Sequence, residues 1–327
     1  MSYLVSSDSL EGLSIIHASS GQILNWPLFV LPDWLKAWTE GFYPSGVKEL
    51  FIRTVRQNGD IIGIAPLMRH GDTALFIGDT SVCDYQDLVV APGREEDLCF
   101  TLLDDLKENG VRELDLAHLR PDAAVMTTLA PLAERRGHAV TRAPEAVSYE
   151  MDLPDSFDNY IESLTTKQRH EVRRKLRRMG ESGNVVYRSV TDGAAVPATM
   201  DGFFHMFVES RRDKADFMTE RMKSFFLRLA DAMARIGLLN LGVLELDNRP
   251  VAQIMCFDYN NAIYLYNSGY DPGYTSLSAG LLSKVMAIKE SIERGKACFD
   301  FLKGAEVYKG HLGGREVPLY RCKIALK

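Results

Sequence analysis

The segment from residue 300 to residue 309 places charged side chains just after a predicted strand. Glu306 and Lys309 are three residues apart, so they share one face of a short helix. Lys303 stands at the end of the strand, and ligands of α/β sheets usually bind at strand ends. Two interpretations remain open. Glu306 and Lys309 form a surface salt bridge, or Glu306 is a general base while Lys303 or Lys309 stabilises negative charge.

A second candidate site is the loop of small residues that precedes a predicted helix over residues 280–294. A helix N-terminus offers unpaired N–H groups and a partial positive charge, so it can bind a phosphate without a basic side chain. The candidate anion-binding residues are Tyr270, Ser276, Ser278, Ala279, Gly280 and Lys303. The alternative is that Ser278 only caps the helix and that the glycines only form turns.

A third candidate is the run from residue 167 to residue 178, which holds seven lysines and arginines and one glutamate. Like charges at i, i+4 repel one another, and Glu171 with Lys175 offers a single offsetting pair. Either the run is a solvated helix face, or a phosphate-bearing ligand relieves the repulsion. That ligand would be a cofactor, a sugar nucleotide or a transfer RNA. The candidate residues are Lys167, Arg169, Arg173, Arg174 and Arg177.

The elements that position these residues alternate between strands and helices, which predicts two α/β lobes over residues 1–150 and 151–327. In the first lobe, Asn58-Gly59 favours a hairpin between two apolar runs. In the second lobe, a capped helix that starts at Asp155 or Ser156 extends in some form to Gly180. The order that follows is a strand, two helices, a three-stranded antiparallel meander, a helix, a strand, a short helix and a strand.

Composition narrows the function classes. Hydrophobic residues make up 46% of the 327 residues, charged residues make up 25%, and the net charge is −6, which is typical of a soluble globular protein. No apolar run approaches the length of a membrane-spanning helix, and the start of the chain does not resemble a secretory signal. We therefore expect a cytoplasmic protein. The five cysteines are scattered without CxxC spacing, which predicts neither disulfides nor a metal site.

Between Tyr270 and Leu312 the sequence resembles the acyltransferases of the CelD/BcsL type, also called BioF2-like. These belong to the GNAT superfamily and are related to Fem-type aminoacyltransferases. The matching motifs are Tyr270-Asp271-Pro272, Ser278-Ala279-Gly280, Gly295 through Phe299-Asp300-Phe301, and Gly304-Ala305-Glu306-Val307-Tyr308-Lys309. Two positions depart from the family pattern: Ala279 stands where the family has proline, and Leu312 where it often has tryptophan.

The resemblance implies tandem GNAT-like lobes, each a mixed, largely antiparallel sheet flanked by helices. It implies transfer of an acyl group from acetyl-CoA or another acyl-CoA to an amine or hydroxyl. The acceptor would be a sugar, a sugar nucleotide or an amino compound of polysaccharide or cell-envelope metabolism. In the catalytic interpretation of residues 300–309, Glu306 accepts the acceptor's proton, directly or through a water, and Lys303 or Lys309 stabilises negative charge. Tyr308 protonates the departing thiolate, or its phenol points to the core and has no such role. No metal is required.

Two alternatives remain. A Fem-type transferase would use aminoacyl-tRNA, with the basic run receiving RNA phosphates. That run lacks the aromatic side chains expected of RNA binders, and the whole chain is acidic. The other alternative is a non-catalytic, two-lobed binding module for envelope or polysaccharide assembly, which the departures at Ala279 and Leu312 leave open.

Overall fold

The computed structural model describes residues 3–20, 23–43, 48–210 and 212–327. The chain forms two compact units. Unit 1 comprises Met1–Val147 with Val317–Lys327, and unit 2 comprises Ser148–Glu316. The sequence placed the last eleven residues in the second lobe. They lie in unit 1 because their strand pairs with a strand of that unit, with Cys322 opposite Leu116.

Unit 1 is built from helices on a sheet whose strands come from both ends of the chain. Its helices are α1 (Leu10–Ser20), α2 (Pro32–Phe42), α3 (Glu95–Glu108) and α4 (Ala130–Arg135), with a short 3-10 turn at Leu28–Val30 and a π-helical turn at Val125–Leu129. Its strands are β1 (Tyr3–Asp8), β2 (Glu49–Gln57), β3 (Asp60–His70), β4 (Thr73–Phe76), β5 (Val89–Val90), β6 (Glu113–Leu119), the first part of β7 (Ala139–Asp152) and the last part of β13 (Arg315–Ala325).

The strands of unit 1 run in the order β1-β2-β3-β4-β6-β13, and β5 pairs with β3. The hairpin expected at Asn58-Gly59 joins β2 to β3, and both residues have positive φ, as this turn requires. β4 and β6 are parallel, whereas the other pairs are antiparallel. Apolar side chains of α3 pack on the sheet, so unit 1 has its own core.

Unit 2 repeats the scheme of a meander, a helix and a parallel strand. Its helices are α5 (Phe157–Ser163), α6 (Thr166–Gly180), α7 (Val196–Ser210), α8 (Arg212–Phe217), α9 (Glu220–Arg235), α10 (Ala279–Glu293) and α11 (Val307–His311). Its strands are β8 (Val185–Val190), β9 (Leu239–Leu246), β10 (Arg249–Tyr259), β11 (Ala262–Tyr270) and β12 (Cys298–Lys303), with the end of β7 and the start of β13. A 3-10 segment, Pro272–Leu277, precedes α10.

The single helix expected up to Gly180 is broken in two. Leu164 has extended backbone angles and ends α5, and Thr165 then starts α6, because its hydroxyl oxygen accepts a hydrogen bond from the backbone N–H of Gln168. Ser156 caps α5 in the same way, through Asn159. Because the chain breaks at Leu164, α5 and α6 are separate helices, and each buries its own apolar face.

The strand order in unit 2 is β7-β12-β11-β10-β9-β8. β11 and β12 run parallel, but only Ala262 to Tyr264 pair with Cys298 to Asp300. The remaining residues of the two strands diverge towards their C-terminal ends. This divergence opens the sheet beside α10, which packs on β10 and β11 through buried side chains such as Leu282 and Val285.

Candidate functional site

A cavity of about 430 Å³ lies where β11 and β12 diverge in unit 2. Its walls come from β11, the start of α10, the end of β12 and α11, with contributions from α6 and α8. The lining residues are Lys175, Lys214, Leu265, Tyr266, Asn267, Ser268, Tyr270, Thr275, Ser278, Ala279, Gly280, Leu281, Lys284, Phe301, Lys303, Glu306, Tyr308 and Lys309. The cavity therefore brings together Glu306, Tyr308 and Lys309 with most of the predicted anion-binding loop. Ser276 is exposed and does not line it.

The N-terminus of α10 forms one end of the cavity. Ser278 has φ +60°, and its side chain makes no capping hydrogen bond; its carbonyl oxygen instead accepts from the N–H groups of Leu281 and Leu282. Gly280 faces the ring of Tyr270, and a Cβ atom there would lie 2.6 Å from that ring. Glycine at position 280 is thus required by close packing, which leaves backbone amides at the cavity wall.

The end of β12 is held by a bulge. Leu302 has φ +59°, and its N–H donates to Oδ1 of the buried Asp300 at 2.7 Å. The carbonyl oxygens of Leu302 and Lys303 then point to Nζ of Lys309, which donates to them at 3.0 and 2.7 Å. The Phe-Asp-Phe and Glu-x-Tyr-Lys motifs therefore form one connected structure.

Glu306 and Lys309 form the expected ion pair, with Oε2 of Glu306 at 3.1 Å from Nζ of Lys309. Both residues also line the cavity, so the two interpretations drawn from the sequence are compatible. The Lys309 side chain is 3% exposed and the Glu306 side chain is 44% exposed. Because Lys309 is fixed by two backbone carbonyls, it positions the Glu306 carboxylate at the cavity mouth.

A substitution at Gly304 tests whether the positions of Glu306 and Lys309 are constrained in this way. Gly304 has φ +124°, and an added Cβ would lie 2.3 Å from Oε2 of Glu306 and 3.1 Å from Nζ of Lys309. We expect Gly304→Ala to lower the free energy of unfolding by about 1–3 kcal/mol through backbone strain and to displace Glu306. The control is Gly310→Ala in α11, where a Cβ would meet nothing nearer than 3.9 Å. Chemical denaturation of both variants measures the difference; equal stability would show that Gly304 does not constrain the site.

Sequence reasoning missed Lys284, which lies in the second turn of α10 and is 5% exposed. Nζ of Lys284 donates to the carbonyl oxygen of Gly280 at 2.7 Å and lies 5.1 Å from the centre of the Tyr308 ring. Burial lowers the pKa of Lys284 to about 7, and the charges of Lys214 and Lys309 act in the same direction. The recognisable signal was a lysine one turn before Ile288, on the apolar face of an amphipathic helix.

The cavity is rich in cations. It contains five lysines (Lys175, Lys214, Lys284, Lys303 and Lys309), and Glu306 is the single carboxylate among its described lining residues. Lys214 reaches it from α8, where its amine donates to the carbonyl oxygen of Ser268 and lies over the ring of Phe207. This excess of positive charge favours an anionic ligand.

The basic helix α6 contributes one residue to the cavity wall, and this residue is not among the five candidates predicted from the sequence. Lys175 lines the cavity, whereas the five candidates Lys167, Arg169, Arg173, Arg174 and Arg177 do not. The repulsion expected among the arginines is also offset more than the sequence suggested. Glu162 pairs with Arg169 and Arg173, Glu171 with Arg174 and Lys175, and Glu181 with Arg177. An anionic ligand is not needed to relieve it.

A second cavity, of about 480 Å³, lies in unit 1 and is lined in part by Trp26, Asp87 and Asp122. Burial raises the pKa of Asp87 to about 6, although the N–H groups of Ala124 and Val125 donate to its carboxylate and oppose the shift. The Asp87 carboxylate thus anchors the first turn of the π-helical segment, which gives it a structural role in unit 1.

Within the described residues, no group of three or more histidine, cysteine, aspartate or glutamate side chains is arranged to hold a metal ion. Nor does any helix in the described ranges have the length and apolarity needed to cross a bilayer. All five cysteines are free thiols, and four of them are buried.

Residues 166–310 match the family described as "Acetyltransferase (GNAT) domain". This match covers α6 through α11 and includes every residue that lines the cavity. The match lies entirely within unit 2 and spans less than half of the chain, so unit 2 is similar to this family. No curated protein matches the chain significantly in sequence.

Several solved structures share the fold of the whole chain. FemX superposes with a TM-score of 0.68 at 12% identity, covering 98% of this chain and 97% of FemX. A conserved protein of unknown function from Bacteroides thetaiotaomicron gives 0.59 at 11% identity, with 100% of each chain covered. The C-terminal domain of a putative lysylphosphatidylglycerol synthetase from Agrobacterium fabrum gives 0.55 at 13% identity, covering 89% of this chain and 90% of that one. The predicted fold class, a GNAT-like α/β fold with mixed sheets flanked by helices, is confirmed.

Proposed function

We propose that the chain transfers an acyl group from an acyl-CoA, most simply acetyl-CoA, to the amine or hydroxyl of a small acceptor. The observation that carries the proposal is the lysine-lined cavity at the divergence of β11 and β12, inside the segment that matches the GNAT domain. The motifs from Tyr270 to Lys309 further support a CelD/BcsL-type enzyme, acting in the cytoplasm on a sugar, sugar nucleotide or amino compound.

The donor fits the cavity in two respects. Beyond Tyr264 and Asp300, the backbone groups of β11 and β12 no longer pair with one another. The extended, amide-bearing arm of the donor can form hydrogen bonds along such strand edges. At the other end, the first amides of α10 and the amine of Lys175 suit a pyrophosphate. α6 contacts the segment that leads into α10, and Lys175 lines the same cavity as the first residues of α10.

The chemistry needs one proton acceptor and one proton donor. Glu306 takes the proton from the acceptor's N–H or O–H as the new C–N or C–O bond forms. The C–S bond breaks, and the phenol of Tyr308, which also lines the cavity, supplies a proton to the departing thiolate. Lys303 and the backbone amides at the start of α10 stabilise negative charge on the phosphates and on the carbonyl oxygen.

The donor site is tested with acetyl-CoA by isothermal titration calorimetry. We expect Lys175→Glu to weaken binding at least about tenfold, because it places a carboxylate beside the phosphates, and the loss should shrink as salt rises. Arg174→Glu is the matched control, since Arg174 is the neighbouring residue, is 52% exposed and does not line the cavity. An absence of acetyl-CoA binding by the unmodified protein would refute the proposed donor.

A second candidate donor is aminoacyl-tRNA. The five cavity lysines suit the phosphates of an RNA end as well as those of CoA. Against it, four arginines of α6 already have glutamate partners. Titration with bulk tRNA at low and high salt separates the two donors, because tRNA binding without acetyl-CoA binding would favour the Fem-type reaction.

A further inference from the structure

The amine of Lys284 occupies the same cavity as the proposed thioester donor. It reaches the cavity from the second turn of α10, and its only hydrogen bond within the described part of the chain is to Gly280. The amines of two other lysines in the cavity make different contacts. The amine of Lys309 contacts two backbone carbonyls and Glu306, and that of Lys214 donates to Ser268. Lys284 is thus held by fewer oxygen atoms than Lys309, whose amine contacts three.

Several charged and titratable groups interact with Lys284 or line the same cavity. They are Lys214 on α8, Cys256 on β10, Lys175 on α6, Lys303 on β12, Glu306 before α11, and Tyr308 and Lys309 on α11. Burial and the two nearby lysines lower the pKa of Lys284 to about 7, while Glu306 opposes them. At pH 7.5 about three quarters of such amines are uncharged, against about one in a thousand for an ordinary lysine.

We infer that Lys284 is a self-acylation site, at which the uncharged amine takes the acyl group of a donor bound in the cavity. The inference rests on the proposed acyl-CoA donor. The lone pair of Nζ attacks the thioester carbonyl carbon, a C–N bond forms and the C–S bond breaks. CoA leaves as a thiolate and takes up the proton that the amine loses, so the products are Nε-acyl-lysine and CoA.

Two features of the site favour the product. The amide carries no charge, so the modified side chain no longer faces the cost of a buried ammonium. Its remaining N–H can still donate to the carbonyl oxygen of Gly280. The acyl-lysine would fill part of the 430 Å³ that the donor's acyl arm needs, so the modified protein should bind acetyl-CoA weakly. Self-acylation would therefore switch the enzyme off when donor is abundant and acceptor is scarce.

The experiment incubates the full chain with acetyl-CoA at several pH values and measures intact mass and modified peptides by mass spectrometry. We expect one added acetyl group at Lys284, forming at least about tenfold faster than at Lys289, which lies on the same helix with its side chain 39% exposed. The rate should rise up to a pH of about 7 and then level off. Excess desulfo-CoA should suppress it, because that analogue occupies the cavity and carries no acyl group.

The outcomes separate the two proposals. Acetyl-CoA binding by calorimetry without modification at Lys284 overturns self-acylation and leaves the proposed donor standing. Modification spread evenly over exposed lysines, or unaffected by desulfo-CoA, overturns it as well, since that pattern is solution chemistry. The variant Lys284→Met should bind acetyl-CoA and gain no acetyl group at position 284. If acetyl-CoA does not bind at all, the proposed function itself fails.

Discussion

Lys284→Met is expected to make the protein more stable than the unsubstituted chain at neutral pH, by about 2–4 kcal/mol. Burial lowers the pKa of Lys284 to about 7 in the folded chain, against 10.5 for an ordinary lysine, so keeping this amine protonated on folding costs free energy. The penalty is complete below pH 7, where it amounts to about 5 kcal/mol, and it vanishes as the pH rises to about 10.5. Methionine has a similar length and no charge, so it removes the penalty and loses the hydrogen bond to Gly280 and the amine's contact with the Tyr308 ring.

Urea unfolding at pH 6.5, 8 and 9.5 measures the effect. The stability gained by Lys284→Met should be largest at pH 6.5 and should shrink steadily at the higher values. Lys289→Met is the control, because Lys289 lies on the same helix, is partly exposed and pairs with Glu293 at 3.6 Å; its effect should stay within about 1 kcal/mol at every pH. A pH-independent effect of Lys284→Met would mean that the amine keeps an ordinary pKa in the folded protein.

Much of the fold could be predicted from local rules. The Asn58-Gly59 hairpin, the meander of β9 to β11 and the helix after the Tyr-Asp-Pro loop follow from turn chemistry and from hydrophobic periodicity. The assignment of the last strand to unit 1 could not be predicted, because strand pairing at long range has no local signature. The sequence of β13, Arg315–Ala325, is that of an ordinary strand and does not reveal that its partner is β6.

The candidate site could likewise be predicted only in part from the sequence. The run from Asp300 to Lys309 could be recognised because its residues are adjacent in sequence, and the structure shows that a bulge at Leu302 connects them. Lys175, Lys214 and Lys284 come from three separate helices, so their convergence depends on tertiary packing. The ion pairs that offset repulsion among the arginines of α6 could not be predicted for a related reason: Glu162 lies in the preceding helix and reaches two of these arginines across the break at Leu164.

Within the Glu-x-Tyr-Lys motif, Lys309 and Glu306 have different surroundings. Lys309 is buried and donates hydrogen bonds to the end of β12, so the motif's lysine supports the site as well as lining the cavity. Glu306 is half-exposed, has one cationic partner and faces the cavity. If the site is catalytic, the residue whose replacement should separate turnover from binding is therefore Glu306.

Glu306→Gln is expected to lower kcat by about 100-fold while leaving the dissociation constant of acetyl-CoA nearly unchanged. Glutamine keeps the shape of the side chain and can still accept a hydrogen bond from Lys309, but it cannot take the acceptor's proton. Because the Glu306 side chain is 44% exposed, loss of the ion pair should cost about 1 kcal/mol of stability at most. Release of CoA is followed with a thiol reagent, against amino sugars, sugar nucleotides and other amino compounds.

Glu316→Gln provides the matched control, since Glu316 is exposed, accepts a hydrogen bond from Tyr149 at 3.1 Å and does not line the cavity. Its turnover should equal that of the unsubstituted protein. Full turnover in Glu306→Gln would remove the base assignment, because a carboxamide cannot replace a carboxylate in proton transfer. A parallel loss of acetyl-CoA affinity would instead assign Glu306 to the structure of the cavity mouth, where its pairing with Lys309 would matter more than its basicity. Reduced kcat with intact binding is the result expected of a proton acceptor at this position.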